Sequence, residues 1–152
     1  MTTAAHPTAD PDCIFCKIVA GAVPCFKIYE DDATLSFLDI NPVNPGHALI
    51  IPKRHSPNLL ATPDEDLQAV IPVVKRIAAA VQEELSPDGI NLHQANGPGA
   101  AQSVLHFHIH VVPRRFGDSL VVNWELRPGD KGEIAAVADR LKRAIERNRA
   151  AG

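Results

Sequence analysis

The chain has no apolar run approaching the length of a membrane span. Its opening stretch, MTTAAHPTADPD, lacks the basic and hydrophobic regions of an export signal. A formal net charge of −3 gives no basic surface on which to expect nucleic acid. Cysteine is scarce: there are three, an odd number, and two are spaced as Cys13-x-x-Cys16. In an unexported chain that spacing favours metal or redox chemistry over a disulfide framework. No internal repeat is visible. With these classes set aside, 152 residues, 45% hydrophobic and 22% charged, read as a cytoplasmic, enzyme-sized globular domain able to bury its own core. Residues 1–11 are polar and expected to be flexible; residues 12–152 read as one domain.

FKIYED and ATLSFLDI have the composition of short strands, with Asp31-Asp32 as the turn between them. INPVNPGH is a loop, and ALIIP a buried strand ending at Pro52. Thr62-Pro63-Asp64-Glu65 reads as a capping box opening a helix. The apolar face of that helix is Leu67, Val70, Ile71, Val74, Ile77, Ala78, Val81 and Leu85. Pro72 lies inside it and is expected to kink or split it. GINLHQ and VLHFHIHVV complete the strands, and residues 132–149 form a second amphipathic helix on Ile134, Val137, Leu141 and Ile145. Strands clustered around hairpins, with helices between and after them, favour an α+β fold over a doubly wound parallel sheet.

HFHIHVV places three of seven histidines at period two. In a strand, His106, His108 and His110 share one face, while Leu105, Phe107, Ile109 and Val111 turn to the core. A single zinc held by all three is disfavoured, because His106 and His110 stand about 13 Å apart along a strand. A polar face without function is a poor account of three adjacent titratable rings. Three separate roles fit better.

The sequence His106-Phe107-His108-Ile109-His110-Val111-Val112 resembles the signature of the histidine triad (HIT) nucleotide hydrolases and transferases. CIFCKIVAGAVPCFKIYEDDATLSFLDINPVNPGHALIIPKRH resembles that family's N-terminal half, and GAAQSV its phosphate loop, so the likeness covers about residues 13–115. It implies a HIT-like α+β fold, an antiparallel five-stranded sheet with two main helices. It also implies a nucleophile at His108, with His110 and His47 beside the phosphate as donors of hydrogen bonds or a proton, and Ser103 as the hydroxyl on the phosphate side. Asp39 matches the ribose carboxylate, although alone it would equally serve as a turn residue. Ile14, Phe15, Ile18, Phe37 and Ile40 match the walls around the base. Asn96 and Gln102 fall near the amide that bonds the phosphate; counted back from Gln102, the family position falls on Ala95, one residue before Asn96. The run Gly97–Ala101 lets backbone N–H groups approach an oxyanion, or is a simple turn.

Some HIT proteins bind structural zinc through residues matching Cys13, Cys16, His55 and His106. The resemblance thus implies a Cys₂His₂ site, the alternative being a pair of reduced buried cysteines. Cys25 reads as a small core residue, His93 as a packing histidine, and His6 as having no specific role. Trp124 lies in the segment after Pro113, where family members diverge and substrate choice is often set. The expected function is hydrolysis of AMP–X substrates, purine nucleoside phosphoramidates, through a nucleotidyl-histidine intermediate. The expected partners are a purine nucleotide or its conjugate and a second copy in a homodimer, with no nucleic acid and no membrane. The alternatives are a dinucleoside polyphosphate hydrolase, a slow-turnover nucleotide-binding regulator and a zinc adaptor.

Overall fold

The computed structural model describes residues 9–151, so His6 lies outside the described residues. Five strands form one antiparallel sheet in the order β1-β2-β3-β5-β4. They are β1 (Lys27–Glu30), β2 (Thr34–Leu38), β3 (Ala48–Pro52), β4 (Gly89–His93) and β5 (Ile109–Arg114). The α+β reading with an antiparallel five-stranded sheet is borne out. The helices are α1 (Ile14–Val19), α2 (Asp64–Leu85) and α3 (Lys131–Ala150). None is long and apolar enough to cross a membrane.

The described residues divide into two compact units, one ending at Leu120 and one beginning at Val121. In the first, pleat alternation sorts the sheet into two faces. Ala48, Ile50, Ile109 and Val111 pack against Val70, Val73, Val74, Ile77 and Val81 of α2. Leu35, Phe37, Leu49 and Ile51 turn the other way, onto Phe15, Cys13 and Cys16. His110 pairs with Leu49 across β3 and β5, so it shares this second face.

Four local expectations change. α2 runs unbroken through Pro72, whose ring sits at an exposed point of the helix. Ile71, beside it, is 55% exposed, and Val73 takes its place in the core, which shifts the buried stripe around the helix. The capping box does not form: Thr62 Oγ1 donates to Asn58 O at 2.8 Å, and Pro63 is the N-cap. Asp64, Glu65 and Asp66 instead complement the positive end of the helix dipole. Leu105 is exposed rather than core, because β5 starts only at Ile109 and the chain before it is irregular. At the far end, α2 is closed by Arg115, which donates from both terminal nitrogens to Leu85 O and Ser86 O at 2.5 Å.

In the second unit, Asp130 caps α3 by accepting from Glu133 N at 2.8 Å. Ile134, Val137, Leu141 and Ile145 form the expected stripe, and all four are exposed. Trp124 is exposed in the irregular segment before the helix.

Candidate functional site

The second face of the sheet opens into a cavity of about 410 Å³. α1, a six-residue helix the sequence pattern did not mark, contributes Ile14, Phe15 and Ile18 to its wall. Phe37, Asp39 and Ile40 come from the end of β2, Ser103 and His108 from the approach to β5, and His110 from β5 itself. Val23, Pro24, Leu38, Leu49 and Val104, not singled out in the sequence, and Cys25, read there as a core residue, also line it. Phe15 lies edge-on to both Phe37 and His108, with ring centroids 5.5 and 5.2 Å apart.

Backbone groups fix which nitrogen of each histidine carries its proton. His108 Nδ1 lies 2.6 Å from the carbonyl oxygen of His106. A carbonyl only accepts, so Nδ1 donates and Nε2 keeps a bare lone pair. Val43 N–H donates to His47 Nδ1 at 3.1 Å, which leaves the His47 proton on Nε2. That nitrogen is 2.8 Å from His110 Nδ1 and donates to it. The proton of neutral His110 is therefore on its own Nε2. Two neighbouring histidines of the cavity thus present opposite functions: a lone pair on His108 and an N–H on His110. Burial pushes the His47 and His108 pKa values down and that of His110 to about 4, so near neutral pH all three rings are uncharged.

His47 does not line the cavity; it is 5% exposed and stands behind His110. Asp39 Oδ1 accepts from Asn41 N at 2.8 Å, and its Oδ2 is 3.7 Å from His47 Nε2. Asp39, His47 and His110 thus crowd closely enough to suggest a metal site. The protonated Nε2 of His47 has no lone pair to offer, so His47 and His110 form a hydrogen-bonded pair instead, with the Asp39 carboxylate beside it. His93 is exposed on β4, opposite His110 in register, with ring centroids 5.6 Å apart. It extends the imidazole row rather than filling a core.

Asn96 and Gln102 do not line the cavity. Asn96 accepts from Leu59 N at 2.8 Å and pairs with Gln94. Gln102 accepts from Gly97 N and donates to Pro57 O and Val104 O. The N–H groups of Gly97, Ala100, Ala101 and Gln102 are all bonded within the 97–102 loop. The small-residue run is therefore a self-satisfied turn at these four positions.

A second cluster lies under α1. The side chains of Cys13, Cys16, His55 and His106 are buried, with their donor atoms within 4.8 Å of one another. His106 Nε2 donates to Pro52 O at 2.8 Å, which leaves Nδ1 as a lone pair 3.5 Å from Cys13 Sγ and 3.6 Å from Cys16 Sγ. His55 Nδ1 is 3.4 Å from Cys16 Sγ, with its Nε2 toward Asp10 at 3.8 Å. Zinc bonds of about 2.3 Å to sulfur and about 2.0 Å to nitrogen place tetrahedral S···N edges near 3.5 Å, so the four residues fit a metal ion. Burial raises the Cys16 thiol and lowers His106 to about 4. A buried neutral imidazole is the form that binds metal.

With this geometry in place, the comparisons with known proteins become specific. A protein-family model described as the HIT domain matches residues 20–117. The chain belongs to the HIT family. The HIT sequence is 40% identical over 143 residues to the adenosine 5′-monophosphoramidase of Saccharomyces cerevisiae, spanning 93% of this chain and 88% of the relative. A HIT family protein from Bacillus anthracis superposes with a TM-score of 0.84 at 37% identity, covering 88% of this chain and 97% of that one. A zinc-bound histidine triad family protein from Mycobacterium smegmatis is 42% identical with a TM-score of 0.68, over 88% and 97% of the two chains.

Proposed function

We propose that this HIT protein hydrolyses purine nucleoside phosphoramidates, AMP joined to an amine, through a nucleotide covalently held on His108. The observation that carries this is the bare Nε2 lone pair of His108 in a cavity walled by Phe15 and Phe37 and carrying Asp39. The apolar wall suits a purine and the carboxylate suits ribose hydroxyls. Nε2 of His108 attacks the α-phosphorus, a P–N bond forms to the imidazole, and the bond to the leaving amine breaks. The Nε2–H of His110 donates to the phosphate or the departing nitrogen, and Ser103 bonds a phosphate oxygen. Water then attacks phosphorus and loses a proton that replaces the one carried off by the amine, the imidazole leaves, and AMP is released. The phosphoramidase relative supports this substrate class.

Cys13, Cys16, His55 and His106 would hold a zinc ion of structural role, which ties α1 to β3 and to the approach of β5. The zinc-bound relative supports the assignment. A homodimer and a cytoplasmic location complete the reading; sedimentation and cell fractionation test them.

Intermediates quenched rapidly at alkaline pH, where a P–N bond to imidazole survives, and digested for mass spectrometry locate the nucleophile. The expected result is +AMP on the peptide containing His108. A nucleotide on another residue contradicts the mechanism.

A further inference from the structure

The loop carrying Asp39, Val43 and His47 is tied to the exit of β5 by one carboxylate. Asp118 has a side chain only 6% exposed. Its Oδ2 accepts from Arg114 Nε at 2.7 Å, Asn44 Nδ2 at 2.8 Å and Arg115 N at 3.1 Å. Its Oδ1 accepts from Arg114 Nη2 at 2.6 Å and Leu120 N at 3.2 Å. Arg114 in turn donates to Asn91 on β4 at 2.5 Å, so the carboxylate is braced against the sheet.

Asn44 is the link to the loop. Its side-chain amide also donates to Pro113 O at 2.8 Å, and its backbone carbonyl accepts from His47 N at 3.1 Å. Asp39 N donates to His47 O at 2.9 Å, closing the loop on itself. One residue before Asn44, the Val43 N–H meets the His47 ring. Nothing in the chemistry proposed above uses Asn44, Arg114 or Asp118.

We infer that Asn44 and Asp118 are positioning residues that hold Val43 N–H against His47 and so keep the His110 proton on the nitrogen facing the nucleotide. An imidazole has two neutral tautomers of similar intrinsic energy, and its surroundings choose between them. With Val43 N–H in place, a proton on His47 Nδ1 would meet another N–H, so Nε2 carries it and His110 Nδ1 accepts. If the loop shifts, the His47 proton is free to move to Nδ1. His110 is then free to carry its proton on Nδ1 and turn a lone pair toward the phosphate, which repels an anion instead of stabilising it. The inference rests on the reading of His110 as a donor in the reaction. Its first test does not.

That test is long-range ¹H–¹⁵N NMR of the imidazoles in wild type, Asn44→Ala and Asp118→Asn. The expected result is His47 and His110 as Nε2–H in wild type and as mixed tautomers in both variants. His108, held by the carbonyl of His106, should stay Nδ1–H throughout. Unchanged His47 and His110 tautomers in the variants overturn the inference, as does a change at His108 too, which marks general loss of fold. The second test is kinetic, with an adenosine 5′-phosphoramidate. Asn44→Ala should lower kcat about tenfold with KM within about twofold, yet cost under about twofold more in a His47→Gln background. Equal losses in both backgrounds mean that Asn44 does not act through His47. Shifted tautomers in a protein inactive on every nucleotide would uphold the relay and contradict only the proposed reaction.

Discussion

His108 and His110 are the same side chain, two residues apart, with protons on opposite nitrogens. The cause is the backbone: a carbonyl on one side, and an N–H acting through His47 on the other. Replacement of His110 by alanine should therefore act on turnover more than on binding. The expected loss is about 10²-fold in kcat, with AMP affinity by calorimetry within about tenfold, since the apolar wall and Asp39 remain. A collapse of AMP affinity with kcat intact would assign His110 to binding instead. The identities of these residues were legible in the sequence because the HIT signature marks them. Their protonation was not, because the deciding groups are the carbonyl of His106 and the N–H of Val43. No side-chain pattern records where a carbonyl points. Asn96 shows the converse: its residue type suited a phosphate ligand, while its hydrogen bonds go to Leu59 N and Gln94.

At the scale of elements, the two long helices and five strands follow from periodicity, and their main errors lie at ends. α1 has fewer than two turns of apolar spacing, too little for a pattern to register against the background. β5 begins three residues after His106, because Phe107 N bonds Ser56 O rather than a neighbouring strand. Gly46 lies where the loop carrying Asp39, Val43 and His47 enters β3. Its φ of +90° suits glycine, and a Cβ there would stand 2.3 Å from Leu85 Cδ1 and 3.3 Å from Pro113 Cγ. Gly46→Ala should cost about 1–3 kcal/mol in urea unfolding from backbone strain and crowding together. Adding Leu85→Ala should remove the closest contact and leave the strain with the milder contact to Pro113, so that the double variant stays less stable than Leu85→Ala alone. No difference between those two proteins would show that the backbone here tolerates a side chain.

Across the whole molecule, buried neutral histidines link stability to pH. The His110 pKa falls from an ordinary 6.5 to about 4, chiefly through burial, with His108, His47 and His93 opposing its charge and Asp39 favouring it. The unfolded chain binds a proton here below about 6.5 and the folded chain only below about 4, so stability falls as pH drops through that window and levels off beneath it. Thermal unfolding followed from pH 7.5 to 4 should show the decline. His110→Gln should flatten it, and an identical slope in that variant would exclude His110 as a source. The proposed metal site is the second global link. Protein purified without added zinc, with its thiols reduced, should carry about one metal ion per chain. Stripping the metal with a strong chelator should lower the melting temperature by several degrees or more. Cys16→Ser should remove both the metal and the response to chelation. A metal-free wild type that melts as the untreated protein does would leave the four residues as a reduced packing cluster.

AMP release is the measurement that decides the proposed reaction. Wild type and His108→Ala would be compared on an adenosine 5′-phosphoramidate, an AMP–lysine conjugate and a dinucleoside tetraphosphate. The account expects the two amine conjugates to turn over fastest and His108→Ala to abolish that turnover. Cleavage of the dinucleotide alone, or amine release that survives loss of His108, would contradict it.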